Sequence, residues 1–143
     1  MDSSTAFKPN DKSQRPFKER FTFEQRKTQA EKIRSQYDDK VLLILEPAPS
    51  SRRNKVTESF AAQKVKNKFI VPADKTVGEF MSDFRKTLKL DKTQAIYFLT
   101  AANTIPPANH TMSQIDNCHR DEDQFLYMYY AGENAFGTCH EIK

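Results

Sequence analysis

Lys40-Val41-Leu42-Leu43-Ile44-Leu45-Glu46 holds an unbroken apolar run between its charged ends, of strand length and closed by Pro47-Ala48-Pro49. A strand with one wet face alternates apolar and polar residues, so a run without alternation reads as a strand buried on both faces. It belongs inside a sheet covered on two sides. The rest of the chain must supply both covers.

Working outward, Lys68-Phe69-Ile70-Val71-Pro72 reads as a short second strand, and its closing proline suits a strand end or a sheet edge. Thr76-Val77-Gly78-Glu79 matches a capping box. Behind it Val77, Phe80, Met81, Phe84 and Leu88 recur at helical spacing and trace one apolar face. Ala95-Ile96-Tyr97-Phe98-Leu99 and Phe125-Leu126-Tyr127-Met128-Tyr129-Tyr130 read as strands. Between them lie the turn-like Asn103-Thr104-Ile105-Pro106-Pro107 and a helical turn near Met112–Asp116. Upstream, Pro16 suits the first turn of a short helix. Thr22-Phe23-Glu24-Gln25 is a second capping box, with Phe23, Ala30, Ile33 and Tyr37 as a thin apolar stripe behind it.

A strand hairpin, a crossover helix and two further strands make a four-stranded mixed sheet that one helix covers on one face only. The N-terminal helices are left to cover the other. The expected class is α+β, a ubiquitin-like β-grasp plus two N-terminal helices. The expected organisation is a flexible arm at 1–15, a helical pair at 16–38, a core at 39–131 with a long exposed loop at 47–66, and a flexible tail at 132–143.

The chain has 143 residues, of which 37% are hydrophobic and 29% charged, enough for one modest core with polar extensions. No run approaches the roughly 20 apolar residues of a membrane span, and the start carries no apolar signal region, which predicts a cytoplasmic protein. Cys118 and Cys139 allow one bridge at most, so a disulfide framework is not expected. Gly78, Gly132 and Gly137 are too few for a dinucleotide or P-loop phosphate cradle. Segments 12–34 and 50–75 each carry a net +5, whereas the chain from residue 93 onward carries −4. Basic segments of this kind suit an acidic partner or a solvated surface.

Phe17-Lys18-Glu19-Arg20, Phe23-Glu24-Gln25-Arg26, Ile33-Arg34, Lys68–Pro72, Asp121-Glu122-Asp123, Phe125-Leu126-Tyr127 and Phe136-Gly137 occur in this order from about Phe17 to Gly137. As an ordered set they resemble the ubiquitin-like autophagy modifiers, the family of the light-chain-three microtubule-associated proteins and the GABA-receptor-associated protein. The resemblance implies cleavage by a cysteine protease after Gly137, with Phe136 as the adjoining handle and residues 138–143 removed. It implies transfer by E1-like and E2-like enzymes to phosphatidylethanolamine, leaving a peripheral, lipid-anchored protein on the autophagosomal membrane. It further implies cargo receptors that dock aromatic-x-x-aliphatic peptides in two pockets. The first pocket corresponds to Ile33, Leu42, Ile44, Lys68, Ile70 and Phe125, the second to Phe69, Val71, Pro72, Phe80 and Phe84.

The chain departs from the family pattern at several of these places. Leu42 stands where proline is usual, Gln29 where an acid is common, Asp83 where an aliphatic residue helps close the second pocket, and Thr87 where a basic residue is usual. The loop at 47–66 is several residues longer than is typical. These departures bear on which peptides are selected.

Taken alone, Phe69, Val71, Phe80 and Phe84 are core residues and Lys68 is a surface lysine. Only the resemblance makes a groove of them, in which a peptide adds to the strand edge and gains from the lysine charge. Cys118-His119 and Cys139-His140 lack the paired spacings of zinc motifs, and no grouping points to a triad, so neither a metal, a cofactor nor catalytic residues are expected. The aromatic strands do not match an RNA-binding signature, which leaves nucleic acid disfavoured as a partner. Asp121-Glu122-Asp123 reads as a solvated turn. Two readings of the same fold follow: a lipid-conjugated modifier that is not an enzyme, or a non-covalent peptide- or microtubule-binding adaptor whose basic N-terminal region holds acidic tubulin tails on the cytoskeleton.

Overall fold

The structure, a computed structural model, describes residues 16–48, 67–88 and 94–134. The element order is α1 (Phe17–Arg20), α2 (Phe23–Gln36), β1 (Lys40–Pro47), β2 (Lys68–Pro72), α3 (Val77–Leu88), β3 (Gln94–Thr100), α4 (Met112–His119) and β4 (Leu126–Asn134). The four strands form one sheet in the order β2-β1-β4-β3. β1 pairs antiparallel with β2, Leu42 opposite Ile70, and parallel with β4, Ile44 opposite Tyr127. β3 closes the far side against β4, antiparallel. This is the mixed β-grasp sheet expected, and β2 lies at an edge.

Strand alternation sorts the core into two layers. Val41, Leu43 and Leu45 of β1, with Leu126, Met128 and Tyr130 of β4, face α3 and α4 and pack on Val77, Phe80, Phe84 and Leu88. Leu42 and Ile44, with Phe125 and Tyr127, face the other way and are covered by Phe17 and Ala30 of the N-terminal helices. β1 is buried on both faces because each face has its own helical layer.

Capping sets the helix starts. Thr22 accepts from the Gln25 N–H while Gln25 reaches back to the Thr22 N–H. Thr76 and Glu79 make the same reciprocal pair at 3.1 and 3.0 Å. Thr111 and Gln114 form a third, at the start of α4. The segment near Met112–Asp116 is therefore a helix reaching His119 rather than a single turn.

The structure corrects the sequence reading at three further places. Phe23 and Tyr37 of the expected apolar stripe are exposed, and Arg26 is buried beside Ala30 in their stead. Asp123, assigned to a solvated turn, is fully buried and ion-paired with Arg26. β4 does not stop at Tyr130: Ala131–Asn134 continue it, paired with β3 down to Gln94, and Ala131 and Gly132 are buried. The strand survives its glycine because β3 supplies a full ladder beside it. Of the exposed loop expected at 47–66, Pro47 closes β1 and Ala48 is buried, while residues 49–66 and the tail residues Phe136, Gly137 and Cys139 lie outside the described residues.

Candidate peptide-binding groove

β2 carries both sides of the site. Alternation turns Phe69 and Val71 toward α3 and leaves Lys68 and Ile70 on the side of the N-terminal helices. On the α3 side Phe69 stands edge-on to Phe80 at 5.4 Å and to Phe84 at 6.1 Å between ring centres, a T-shaped arrangement that suits the ring quadrupoles. A cavity of about 190 Å³ opens here. It is lined by Phe69, Ile70, Val71, Pro72, Lys75, Phe80, Asp83, Phe84 and Thr87. All five residues expected for the second pocket are thus brought together.

Four further residues complete that lining, Ile70 of β2 and three polar ones. Asp83 and Thr87 occupy α3 one turn apart, and Lys75 precedes the cap of the same helix. Lys75 Nζ donates to Asp83 Oδ2 at 2.6 Å. That hydrogen bond holds the Asp83 carboxyl below, and the Lys75 ammonium above, their ordinary ranges. Lys75 was not singled out in the sequence, where a lysine before a cap carries no sign of a partner eight residues on.

The six residues expected for the first pocket are placed less uniformly. Ile33, Leu42, Ile44 and Phe125 share one cluster, but Leu42, Ile44 and Phe125 are at most 1% exposed. The reason is Phe17, whose ring meets Phe125 at 5.0 Å and Tyr127 at 6.4 Å and closes over them. In this conformation those three form a floor, while half-buried Ile33 and Lys68 and exposed Ile70 present the surface. Lys68 Nζ donates to Gln29 Oε1 at 3.2 Å and lies 5.5 Å from the centre of the Phe17 ring. Burial lowers its pKa, and the charge of Arg20 adds to the effect. An anionic group arriving there would offset the repulsion from Arg20 and favour the charged lysine.

Among the described residues no group of three or more His, Cys, Asp or Glu comes together as a metal site. Cys118 is exposed and unbridged. No described helix is long and apolar enough to cross a membrane. What the arrangement offers chemically is a strand at the edge of the described sheet, flanked by an apolar cavity on one side and an apolar surface with a lysine on the other.

Residues 25–137 match the family described as "Autophagy protein Atg8 ubiquitin like". Autophagy-related protein 8 of Emericella nidulans is 44% identical over 123 residues, which cover 86% of this chain and 97% of that protein. The same protein of Cochliobolus heterostrophus is also 44% identical over 123 residues, covering 86% of this chain and 96% of its own length. Among solved structures, Trypanosoma brucei ATG8 superposes with a TM-score of 0.68 at 33% identity, covering 86% of this chain and 98% of that one. Plasmodium falciparum Atg8, solved in complex with a Plasmodium falciparum Atg3 peptide, gives 0.66 at 27% identity, covering 81% and 94%. A match over most of the chain, in sequence and in fold, places it: the protein belongs to the Atg8 family of ubiquitin-like autophagy proteins.

Proposed function

We propose that this chain is a ubiquitin-like modifier of autophagy: it is cut after Gly137 by a cysteine protease, carried by E1-like and E2-like enzymes, and joined to phosphatidylethanolamine on the autophagosomal membrane. Once there it recruits receptors that carry aromatic-x-x-aliphatic motifs. The observation that carries the reading is the edge strand Lys68–Pro72 beside a cavity floored by Phe80 and Phe84, in a chain of this family. Strand edges accept extended peptides through main-chain hydrogen bonds, and flanking pockets read alternate side chains. The E2-like enzyme is a natural first occupant, since the Plasmodium relative was solved with an Atg3 peptide.

Lipid attachment explains how a protein with no spanning helix among its described residues is held at a membrane. Burying acyl chains contributes about 0.8 kcal/mol per CH₂, so two chains give stable anchoring where one gives marginal binding. Gly137, at the end of the family match, suits the scissile position because a narrow catalytic channel admits a backbone without a side chain.

The test is the fate of the C terminus. Gly137→Ala should leave the chain uncut and outside the membrane fraction, whereas a chain ending at Gly137 should need no protease and still become membrane-bound. Recovery of wild-type protein retaining Lys143, never in the membrane fraction of starved cells, would overturn the modifier reading. The groove is tested separately: Ile70→Ala or Phe69→Ala should weaken an acid-flanked aromatic-x-x-aliphatic peptide about 5- to 150-fold. Unchanged affinity in both folded variants removes it.

A further inference from the structure

We propose that Thr87 is a phosphorylation site at which a protein kinase selective for basic sequences closes the second cavity to an aliphatic anchor, a regulation that rests on the groove reading above.

Thr87 combines access with leverage. The residue is exposed, lies in the last turn of α3, and lines the cavity together with Phe80 and Phe84 of the same helix. Its Oγ1 donates only a long bond, 3.4 Å, to the Asp83 carbonyl, which costs little to give up. Helix ends fray, so a hydroxyl placed there can be presented to an enzyme. Arg85 and Lys86 directly precede it, the charge pattern that an acid-lined kinase groove selects. The γ-phosphoryl group of ATP passes to Thr87 Oγ1: the new O–P bond forms as the bond to ADP breaks, and the hydroxyl proton goes to the catalytic aspartate of the kinase.

The surroundings make the added group disruptive. On a helix the residues three and four before Thr87 are its neighbours, here Phe84 and Asp83, whereas the adjacent Arg85 and Lys86 do not face it. Phe84 belongs to the apolar core. Asp83 is held ionised by its hydrogen bond from Lys75 and further by the charge of Lys86, while Lys75 answers both that bond and the charge of Glu79. A phosphothreonine brings about two negative charges to a position beside Asp83 and next to the unsatisfied last carbonyls of α3, whose partial charges are also negative. Left where it stands, it frays the turn that carries Phe84 and Leu88. Drawn toward Lys75, it competes with Asp83 for the ammonium and lies across the mouth of the cavity. Either course denies the rings of Phe80 and Phe84 to an aliphatic side chain.

The test has two arms, both on the full chain. In the first, protein recovered from fed and from starved cells is digested and its phosphate groups are mapped by mass spectrometry. Phosphate on Thr87 is expected in at least one state, and its absence from both overturns the assignment. In the second, phosphothreonine is installed at position 87 during translation, and fluorescence anisotropy compares two acid-flanked peptides, aromatic-x-x-Leu and aromatic-x-x-Ala. Unmodified protein should bind the Leu peptide more tightly. The phosphorylated protein should lose about tenfold on the Leu peptide and less on the Ala peptide, and phosphatase treatment should restore both affinities. No loss, or an equal loss on both peptides, overturns closure of the cavity while the groove stands. Failure of the unmodified, folded protein to distinguish Leu from Ala overturns the closure together with the second cavity as a binding site.

Discussion

Asp123 is a carboxylate with no exposed surface, and it is tolerated there because donors surround it. Arg26 Nη1 and the Tyr127 hydroxyl, the latter at 2.6 Å, donate to Oδ2, and the Phe125 N–H donates to Oδ1 at 2.9 Å. Burial, reinforced by this carboxylate, pushes the Tyr127 hydroxyl well above its ordinary range. Asp123→Ala should therefore cost about 3–5 kcal/mol in urea unfolding, the usual penalty for leaving a buried charge uncompensated. A loss no larger than that of a surface substitution would contradict this role. Glu46 behaves differently. Its Oε2 accepts from the Phe17 N–H at 2.7 Å, yet burial raises its carboxyl above the ordinary 4.5 despite the opposing effects of that bond and of Arg20. With the folded value above the unfolded one, its contribution to stability is full below 4.5 and is lost as pH rises through the folded value. Glu46→Gln keeps the acceptor and cannot ionise. Its melting temperature relative to wild type should rise between about pH 4 and pH 7, and a constant difference across that range would refute the assignment.

The elements depend unequally on local and distant contacts, and this governs which of them the sequence reveals. α3 starts at a reciprocal Thr76–Glu79 cap and keeps one apolar face, so both its start and its buried side are written locally. Thr76→Ala should cost about 1 kcal/mol by thermal melting, the normal worth of a cap, and should do so without altering the sheet. A melt indistinguishable from wild type would mean that Glu79 and packing alone hold the helix start. β1 was legible for the same reason, since five consecutive apolar residues, Val41 to Leu45, carry the message. α4 was half legible: Thr111 and Gln114 form a capping box, but its apolar face is only Met112 and Ile115. What escaped detection lies in contacts between distant segments. Arg26 is buried rather than Phe23 because Asp123, 97 residues away, receives it. The last residues of β4 have no strand periodicity and extend because β3 is beside them. The basic patch expected in the N-terminal region is likewise partly spent inside the fold. Lys18 bonds Asp121 at 2.8 Å and lies over the Tyr127 ring, and Arg20 lies over Phe17 and Phe21. The residues of the groove were legible through the family resemblance, but not their depth, which depends on the ring of Phe17.

At the scale of the whole molecule, β1 and β4 are shared by both core layers, yet the layers differ in what they support. The α3 layer joins residues of all four strands to α3 and α4, and Phe84 alone contacts the rings of Phe69, Phe80, Phe98 and Tyr130. The N-terminal layer rests on the two central strands, where Phe17 covers Leu42, Ile44, Phe125 and Tyr127. α1 has only four residues, far too short to be helical alone, so its position depends on that ring and on the Glu46 bond. Truncating either phenylalanine should cost about 3–5 kcal/mol locally, against a total of about 5–15 kcal/mol for a domain. The distribution of that cost should differ. Phe84→Ala removes a contact common to β2, α3, β3 and β4, so amide exchange should quicken across the sheet and both layers together. Phe17→Ala should release α1 and expose the floor of the first pocket, quickening exchange in α1 and α2 while α3, β3 and the β3–β4 ladder keep most of their protection. The same release should alter peptide affinity at Ile33, Lys68 and Ile70 more than at the cavity beside α3. Hydrogen exchange read by mass spectrometry separates the cases. Equal loss of protection in α3 and α1 after Phe17→Ala would show that the layers unfold as one unit, and that the first pocket cannot be opened without unfolding the protein.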